Sequence, residues 1–222
     1  MRIPLTHYAK REIALFGGLG LLATLVTVAA CGPLWYLAAI PLAVTVWVFS
    51  FFRDPQRRVP QGERLLVSPA DGHITAVETI DAPPELGVQG QALRISIFLS
   101  VFNCHLNRSP CEARVERIVY KQGRYLNALR ESSAAENEQN ILVLRAAAVD
   151  APILVRQVSG AIARRIVCEA AEGDTLAAGQ RFGMIKFGSR TDLVVPVTTP
   201  VDVAVRVGDR VKAGLTVLGQ FT

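Results

Sequence analysis

Gly173-Asp174-Thr175-Leu176-Ala177-Ala178-Gly179 returns 35 residues later as Gly208-Asp209-Arg210-Val211-Lys212-Ala213-Gly214. The shared form is Gly-Asp-x-aliphatic-x-Ala-Gly: a turn, the start of a strand, then a second turn. Such an echo fits a compact β-barrel with two pseudo-equivalent halves. The surrounding sequence agrees. Short β-branched runs punctuated by Gly, Pro and Asp predict strands at 73–80, 93–99, 113–120, 141–147, 153–159, 161–170 and 192–196. Helical spacing is weak beyond residue 60, and residues 125–140 read as a long polar loop opened by Gln122-Gly123-Arg124.

Between the two copies stands Phe187-Gly188-Ser189-Arg190. Gly-Ser is an ordinary turn dipeptide. Held in a strained turn on a rigid β framework, it can also cut itself. The serine hydroxyl attacks the glycine carbonyl and the amide becomes an ester. β-Elimination then leaves a dehydroalanine that hydrolyses to a pyruvoyl group. That ketone forms a Schiff base with an amine and accepts a carbanion's electrons, as PLP does. Glycine suits the cleaved side because it tolerates backbone geometry that other residues resist.

Two other segments carry candidate chemistry. Val67-Ser68-Pro69-Ala70-Asp71-Gly72-His73 puts an acid in a Pro/Gly-framed turn before a strand. Phe98-Leu99-Ser100-Val101-Phe102-Asn103-Cys104-His105-Leu106-Asn107-Arg108-Ser109-Pro110 puts a histidine and several hydrogen-bonding side chains after an apolar strand. Of three histidines, His7 lies near the N-terminus, leaving His73 and His105 as possible general bases. A Cys104-His105 nucleophile and base is poor, since strand neighbours point to opposite faces. Two body histidines without a partner motif also argue against a zinc peptidase, and no metal is expected. Cys31, Cys104, Cys111 and Cys168 have spacings of neither a zinc site nor a disulfide framework.

From Ile13 to Phe52, 40 consecutive residues carry no charge, interrupted by Cys31-Gly32-Pro33. One straight helix of that length would reach about 60 Å, twice the bilayer's hydrocarbon core. Broken at Gly32-Pro33, it becomes two 19-residue segments, 13–31 and 34–52, each just long enough to cross, with a kink expected at Pro41. His7, Lys10 and Arg11 precede the first segment; Arg53, Arg57 and Arg58 follow the second. Basic residues on both outer flanks put both ends on the cytoplasmic side. A re-entrant hairpin in one leaflet, a buried core hairpin and a lipoprotein-type signal ending at Val28-Ala29-Ala30-Cys31 compete with a spanning pair. The signal fits less well, because Leu34-Trp35-Tyr36-Leu37 starts another apolar run where a polar tether belongs. Arg53 to Pro60 is a polar, proline-punctuated exit, so the chain divides into an N-terminal hairpin, 1–58, and a β body, 59–222.

Charge supports this division. Residues 1–58 hold six Lys/Arg against Glu12 and Asp54, while the body is nearly balanced, 18 against 17. The basic excess sits beside the membrane, where anionic headgroups attract it. No basic-aromatic interleaving marks a nucleic-acid surface.

Taken in order, these segments resemble the short bacterial form of phosphatidylserine decarboxylase, a pyruvoyl-dependent family made as a proenzyme. The resemblance runs over nearly the whole chain: the apolar hairpin, Phe51-Phe52-Arg53-Asp54-Pro55, Ser68-Pro69-Ala70-Asp71-Gly72, Asn103 to Pro110, Glu136-Asn137-Glu138, and Phe187-Gly188-Ser189-Arg190. It implies a barrel-sandwich hybrid body and cleavage between Gly188 and Ser189. The products would be a β chain, 1–188, and an α chain, 189–222, led by pyruvoyl from Ser189. It implies that Asp71 helps to activate the serine and that His105 moves protons in cleavage, decarboxylation or both. Longer members carry a second histidine where this chain has Arg108, an aspartate where it has Asn103, and Thr where it has Arg190. The implied reaction converts phosphatidylserine to phosphatidylethanolamine at the bacterial inner membrane, with the body on the cytoplasmic side. Arg108 or Arg190 would hold the headgroup phosphate. A heterodimer of the two chains, itself able to pair further, is expected. The rival reading is a membrane-tethered carrier domain of the biotinyl or lipoyl type, with Lys186 in Met184-Ile185-Lys186 as the modified residue. Bulky Phe187 disfavours it, and Lys186 reads instead as a surface strand residue or a phosphate contact.

Overall fold

The computed structural model describes residues 4–126, 136–160, 165–186 and 189–222. The chain forms two compact units, Met1–Gln56 and Arg57–Thr222.

In the first unit, α1 (Lys10–Ala30) and α2 (Ala39–Phe51) are joined by a 3-10 stretch, Gly32–Ala38. With the turns that flank them, the apolar helices run His7–Ala30 and Gly32–Phe51, each long enough to cross a membrane. The reversal is at Cys31-Gly32, where Gly32 takes φ +48°, and Leu34 leaves helical geometry just after it. The expected kink at Pro41 is displaced. Pro41 falls in the first turn of α2, where a missing N–H is least costly, and the break lies upstream. Close packing of the pair depends on α1 glycines. A Cβ on Gly20 would collide with Thr45 Oγ1, and one on Gly17 with the Phe49 ring. Thr45 instead turns its hydroxyl onto Pro41 O, 2.7 Å away. Both chain ends of the hairpin meet: Thr6 N–H donates to Phe52 O and Asp54 N–H to Pro4 O.

The second unit is built of strands: β1 (Leu65–Val67), β2 (Gly72–Asp81), β3 (Gln91–Leu99), β4 (Leu106–Arg108), β5 (Ala113–Lys121), β6 (Gln139–Ala146) and β7 (Ala151–Val158). They are followed by β8 (Arg165–Cys168), β9 (Thr175–Leu176), β10 (Arg181–Lys186), β11 (Ser189–Pro196), β12 (Val201–Val203), β13 (Arg210–Val211) and β14 (Val217–Phe221). Eight strands make one antiparallel sheet in the order β13-β2-β3-β11-β7-β6-β5-β9. Two three-stranded sheets, β4-β10-β8 and β1-β14-β12, complete the unit.

The two copies of the echo supply the opposite edges of the large sheet. Leu176 pairs with Ala113 at one edge and Val211 with Gly72 at the other. The glycines that close the copies, Gly179 (φ +71°) and Gly214 (φ +69°), then come together: a Cβ on Gly214 would lie 3.4 Å from Gly179 Cα. The sheet therefore curls until its edges approach, which answers the edge-strand problem as a barrel does. Alternation along β11 sorts its side chains. Leu193 and Val195 join Ile95, Ile97, Leu99, Leu142, Leu144 and Val155 in the main core. Val194 packs on the other face with Leu86, Ala92, Ile141 and Leu154.

The strand expectations hold except at their ends, and β10 went unread, because Arg181-Phe182-Gly183-Met184-Ile185-Lys186 holds a single β-branched residue, Ile185, and a glycine in mid-run. β11 starts three residues earlier than expected. Of the long loop, Gln139 and Asn140 belong to β6. Residues 127–135 of that loop, 161–164 of the expected strand, and Phe187 and Gly188 lie outside the described residues.

Candidate active site

β10 ends at Lys186 in one sheet and β11 begins at Ser189 in another, so the chain changes sheets between these two residues. Ser189 pairs with Leu99 on β3, and its side chain is 0% exposed. It lies inside the body. Among the described residues its Oγ has no hydrogen-bond partner. A buried hydroxyl left unbonded costs free energy and calls for a functional account.

The register brings His105 to the same place. Leu106 pairs with Met184, and Ile185 N–H donates to His105 O at 3.2 Å. His105 therefore lies beside the end of β10 from which the chain runs on to Ser189. Its ring is fully buried, with Nδ1 3.1 Å from Asn103 O. A carbonyl only accepts, so Nδ1 carries the proton and Nε2 of the neutral ring is the basic nitrogen. The turn that presents it is self-stitched. Asn103 Oδ1 accepts from Ser100 N–H at 2.9 Å and from Ser100 Oγ at 2.7 Å.

Asp71 takes a different position from a direct partner of the serine. Its carboxylate is gripped by Arg57, with Nη1 to Oδ1 at 2.5 Å and Nη2 to Oδ2 at 2.7 Å, and it accepts from Ala213 N–H at 2.8 Å. It thus locks the Ser68–Gly72 turn to the second echo copy. Asp71 immediately precedes β2, which β3 separates from the β11 strand that Ser189 begins.

A buried amide relay joins these segments, and the sequence alone did not single it out. Asn140 Nδ2 donates to Gln157 Oε1 (2.9 Å), Gln157 Nε2 to Asn107 Oδ1 (2.9 Å), and Asn107 Nδ2 to Thr191 Oγ1 (3.0 Å). Asn107 Nδ2 also lies 3.4 Å from Pro69 O in the Asp71 turn. The available signal was the period of two. Asn107 is two positions beyond His105 and Thr191 two beyond Ser189, so each pair shares a strand face.

Arg190 points to the face opposite Ser189. Its Nε donates to Asp192 Oδ1 at 2.6 Å and its Nη2 to Ser96 Oγ at 2.9 Å. Nearby Arg156 is pushed below the usual guanidinium range by burial, which Asp192 partly offsets. Arg108 donates from Nη1 to Gly179 O at 2.9 Å, between the two echo turns. Lys186 is 5% exposed, which corrects the expected surface position. It also counts against the carrier reading, since a modified lysine must reach a separate enzyme. His73 stacks edge-on against Phe98, with ring centroids 5.3 Å apart, at the end of β2.

Comparison with known proteins identifies the family. Residues 44–219 match the family model described as phosphatidylserine decarboxylase. A relative from Ruegeria pomeroyi is 46% identical over 186 residues, covering 83% of this chain and 84% of its own length. Another, from Cereibacter sphaeroides, is 40% identical over 220 residues, covering 99% and 90%. Both are named phosphatidylserine decarboxylase proenzyme. On the strength of that match along the β unit, the chain belongs to the phosphatidylserine decarboxylase family of carboxy-lyases.

Proposed function

We propose that this chain decarboxylates phosphatidylserine to phosphatidylethanolamine through a pyruvoyl group made from Ser189, after cutting itself between Gly188 and Ser189. The observation that carries the reading is the buried Ser189 Oγ, without a partner among the described residues, at the point where the chain passes between sheets. A small keto-acyl group in its place fits a space that asks no hydrogen bond of the side chain. When present, that group supplies an electrophilic ketone that takes up the substrate amine and accepts the electrons released with CO₂.

The chain's own residues do the rest. Ser189 Oγ attacks the Gly188 carbonyl carbon, and the peptide C–N bond is exchanged for an ester. β-Elimination from that ester frees the carboxyl end of the β chain, 1–188, from the α chain, 189–222, and water converts the dehydroalanine left at 189 to the ketone with release of ammonia. The two stay together as a heterodimer, because β11, β13 and β14 of the α chain pair with β3, β7, β2 and β1 of the β chain. His105 Nε2 takes the hydroxyl proton in cleavage and delivers a proton to the substrate's α-carbon in turnover. Asp71 assists by fixing the turn whose Pro69 carbonyl receives Asn107 and the Arg108 N–H. The headgroup phosphate is assigned to Arg108 rather than Arg190, whose guanidinium is turned to the face opposite Ser189 and engaged by Asp192 and Ser96. The hairpin, 1–58, tethers the body, 59–222, to the bacterial inner membrane on its cytoplasmic side, where the two-chain substrate resides.

Gel electrophoresis of purified protein tests the proposal. Cleavage splits the 24.0 kDa chain into pieces of about 20 and 4 kDa. Mass spectrometry of the smaller piece identifies its N-terminal group. Ser189→Ala removes both the split and the activity; an uncut chain with full activity overturns the reading.

A further inference from the structure

Three buried polar atoms that have no hydrogen-bond partner among the described residues stand side by side: Ser189 Oγ, Ser159 Oγ and Glu138 Oε2. Thr191 pairs with Gln157 and Gln157 with Asn140, which is the rung of the amide relay. Two positions further along, the same register sets Ser189 beside Ser159 and Ser159 beside Glu138, and Ser159 N–H donates to Glu138 O at 2.9 Å. A period of two puts all three side chains on the relay's face. The serines are fully buried, and Glu138 is 5% exposed. Asn137 holds the row in register, its Nδ2 donating to Ser159 O and to Leu126 O, each at 2.8 Å. At the far end Tyr120 donates its hydroxyl to Glu138 Oε1 at 2.8 Å, and Tyr120 is 60% exposed. One end of the row therefore meets solvent and the other meets the site.

Leaving a carboxylate oxygen and two hydroxyls unbonded in the interior costs free energy, and a function offsets it. Decarboxylation supplies one. When the bond to the carboxylate breaks, CO₂ departs without the bonding electron pair, which stays at the α-carbon and takes up a proton. Each turnover thus consumes one proton, and fully buried His105 has to be recharged from solvent. We infer that Tyr120, Glu138 and Ser159 form a path that carries this proton from solvent to the site at residue 189. The inference rests on the proposed decarboxylase activity. A carboxylate and a hydroxyl both accept and donate a proton in turn, as a relay requires. Cross-strand side chains lie about 5 Å apart, the length of two O–H···O bonds end to end, so single water molecules bridge the gaps. The hydrogen bond to Glu138 holds the Tyr120 phenol above the usual tyrosine range, so it stays a donor. Once cleavage has removed the hydroxyl at 189, Ser159 is the last protein hydroxyl of the row. A phosphate in the row would instead meet the charge of Glu138.

The test uses the full-length chain and phosphatidylserine in detergent micelles, comparing wild type with Glu138→Gln, Ser159→Ala and Ser159→Thr. Self-cleavage on gels is expected to run normally in each, because the acyl shift and elimination take up no net proton. In CO₂ release, kcat should fall about ten-fold for Glu138→Gln and Ser159→Ala with KM unchanged, less than the roughly 100-fold of a group that acts on substrate directly. Ser159→Thr should keep wild-type turnover. In Glu138→Gln, whose defect lies at the solvent end, imidazole at neutral pH should restore kcat, whereas sodium chloride at equal ionic strength should not. The solvent deuterium isotope effect on kcat should rise in both slow variants as proton supply becomes limiting. A mispacked site would show neither signature. Wild-type kcat in both Glu138→Gln and Ser159→Ala, self-cleavage slowed in step with turnover, or no restoration of Glu138→Gln by imidazole overturns the path. Wild type that neither cuts itself nor releases CO₂ sinks the underlying activity instead, so the two failures are distinguishable.

Discussion

Ile185 donates its main-chain N–H to the carbonyl oxygen of His105 across 3.2 Å, tying the histidine to the strand that ends at Lys186, just short of Ser189. Because that anchor is backbone to backbone, replacing the imidazole leaves the strand pairing in place. His105→Gln should therefore fold as wild type while slowing self-cleavage by about 100-fold or more, the usual worth of a positioned proton-transfer group. A gel time course of the proenzyme at constant far-UV circular dichroism measures it. Cleavage at the wild-type rate would remove His105 from the chemistry.

The Arg57–Asp71 pair is bidentate and largely shielded from water. Arg57→Ala should cost about 3 kcal/mol, because among the described residues a buried carboxylate is left with only the Ala213 N–H to support it. Pairing Arg57→Met with Asp71→Leu should cost clearly less than Arg57→Ala alone, since no charge then remains to be solvated. Denaturant midpoints of the three proteins decide this.

Asn107→Leu keeps the branched side-chain outline but strands Gln157 Nε2 without its acceptor and removes the donor to Thr191. A loss of about 2 kcal/mol is expected for the unsatisfied buried donor. Asn107→Leu combined with Thr191→Val should fall short of the sum of the single effects, as for groups sharing one network. Strict additivity in thermal melts would show that the relay is not coupled.

Gly72→Ala tests the curl of the sheet. A Cβ there would lie 2.0 Å from the Phe98 carbonyl oxygen, a backbone atom that cannot move aside without breaking the β2–β3 pairing. About 3 kcal/mol or more should be lost, read from urea unfolding.

Burial, with a smaller contribution from Glu112, raises the Cys111 thiol from 9.0 to about 12. Between those values the unfolded chain releases the proton and the folded one retains it, so unfolding is favoured as pH rises. The contribution is complete below pH 9 and lost progressively toward pH 12. Its slope is on the order of 1 kcal/mol per pH unit. Cys111→Ala should flatten the decline in urea midpoint between pH 9 and pH 10.5, and native wild type should resist alkylation at Cys111 over the same range.

How legible all this was in the sequence depended on the range of the interaction concerned. The break at Gly32 and the strands of β2, β3, β5, β6 and β7 follow from local pattern, because periodicity and turn chemistry are properties of neighbouring residues. β10 escaped because its residues owe their extended form to β4 and β8 on either side, not to their own propensity. Pro41 misled for a related reason. Its effect depends on where the helix starts, and α2 starts only two residues before it.

By itself the sequence determined that a charge-free hairpin precedes a β body and that Ser189 stands between two matching turns. It also determined that the body's histidines are His73 and His105. Tertiary structure decided which chemistry-bearing residues meet. It set His105 beside the strand leading to Ser189, turned Arg190 away to Asp192 and Ser96, and gave Asp71 to Arg57. The physical reason is that alternation assigns a side chain to a face, but only the pairing register between distant strands decides what lies opposite that face.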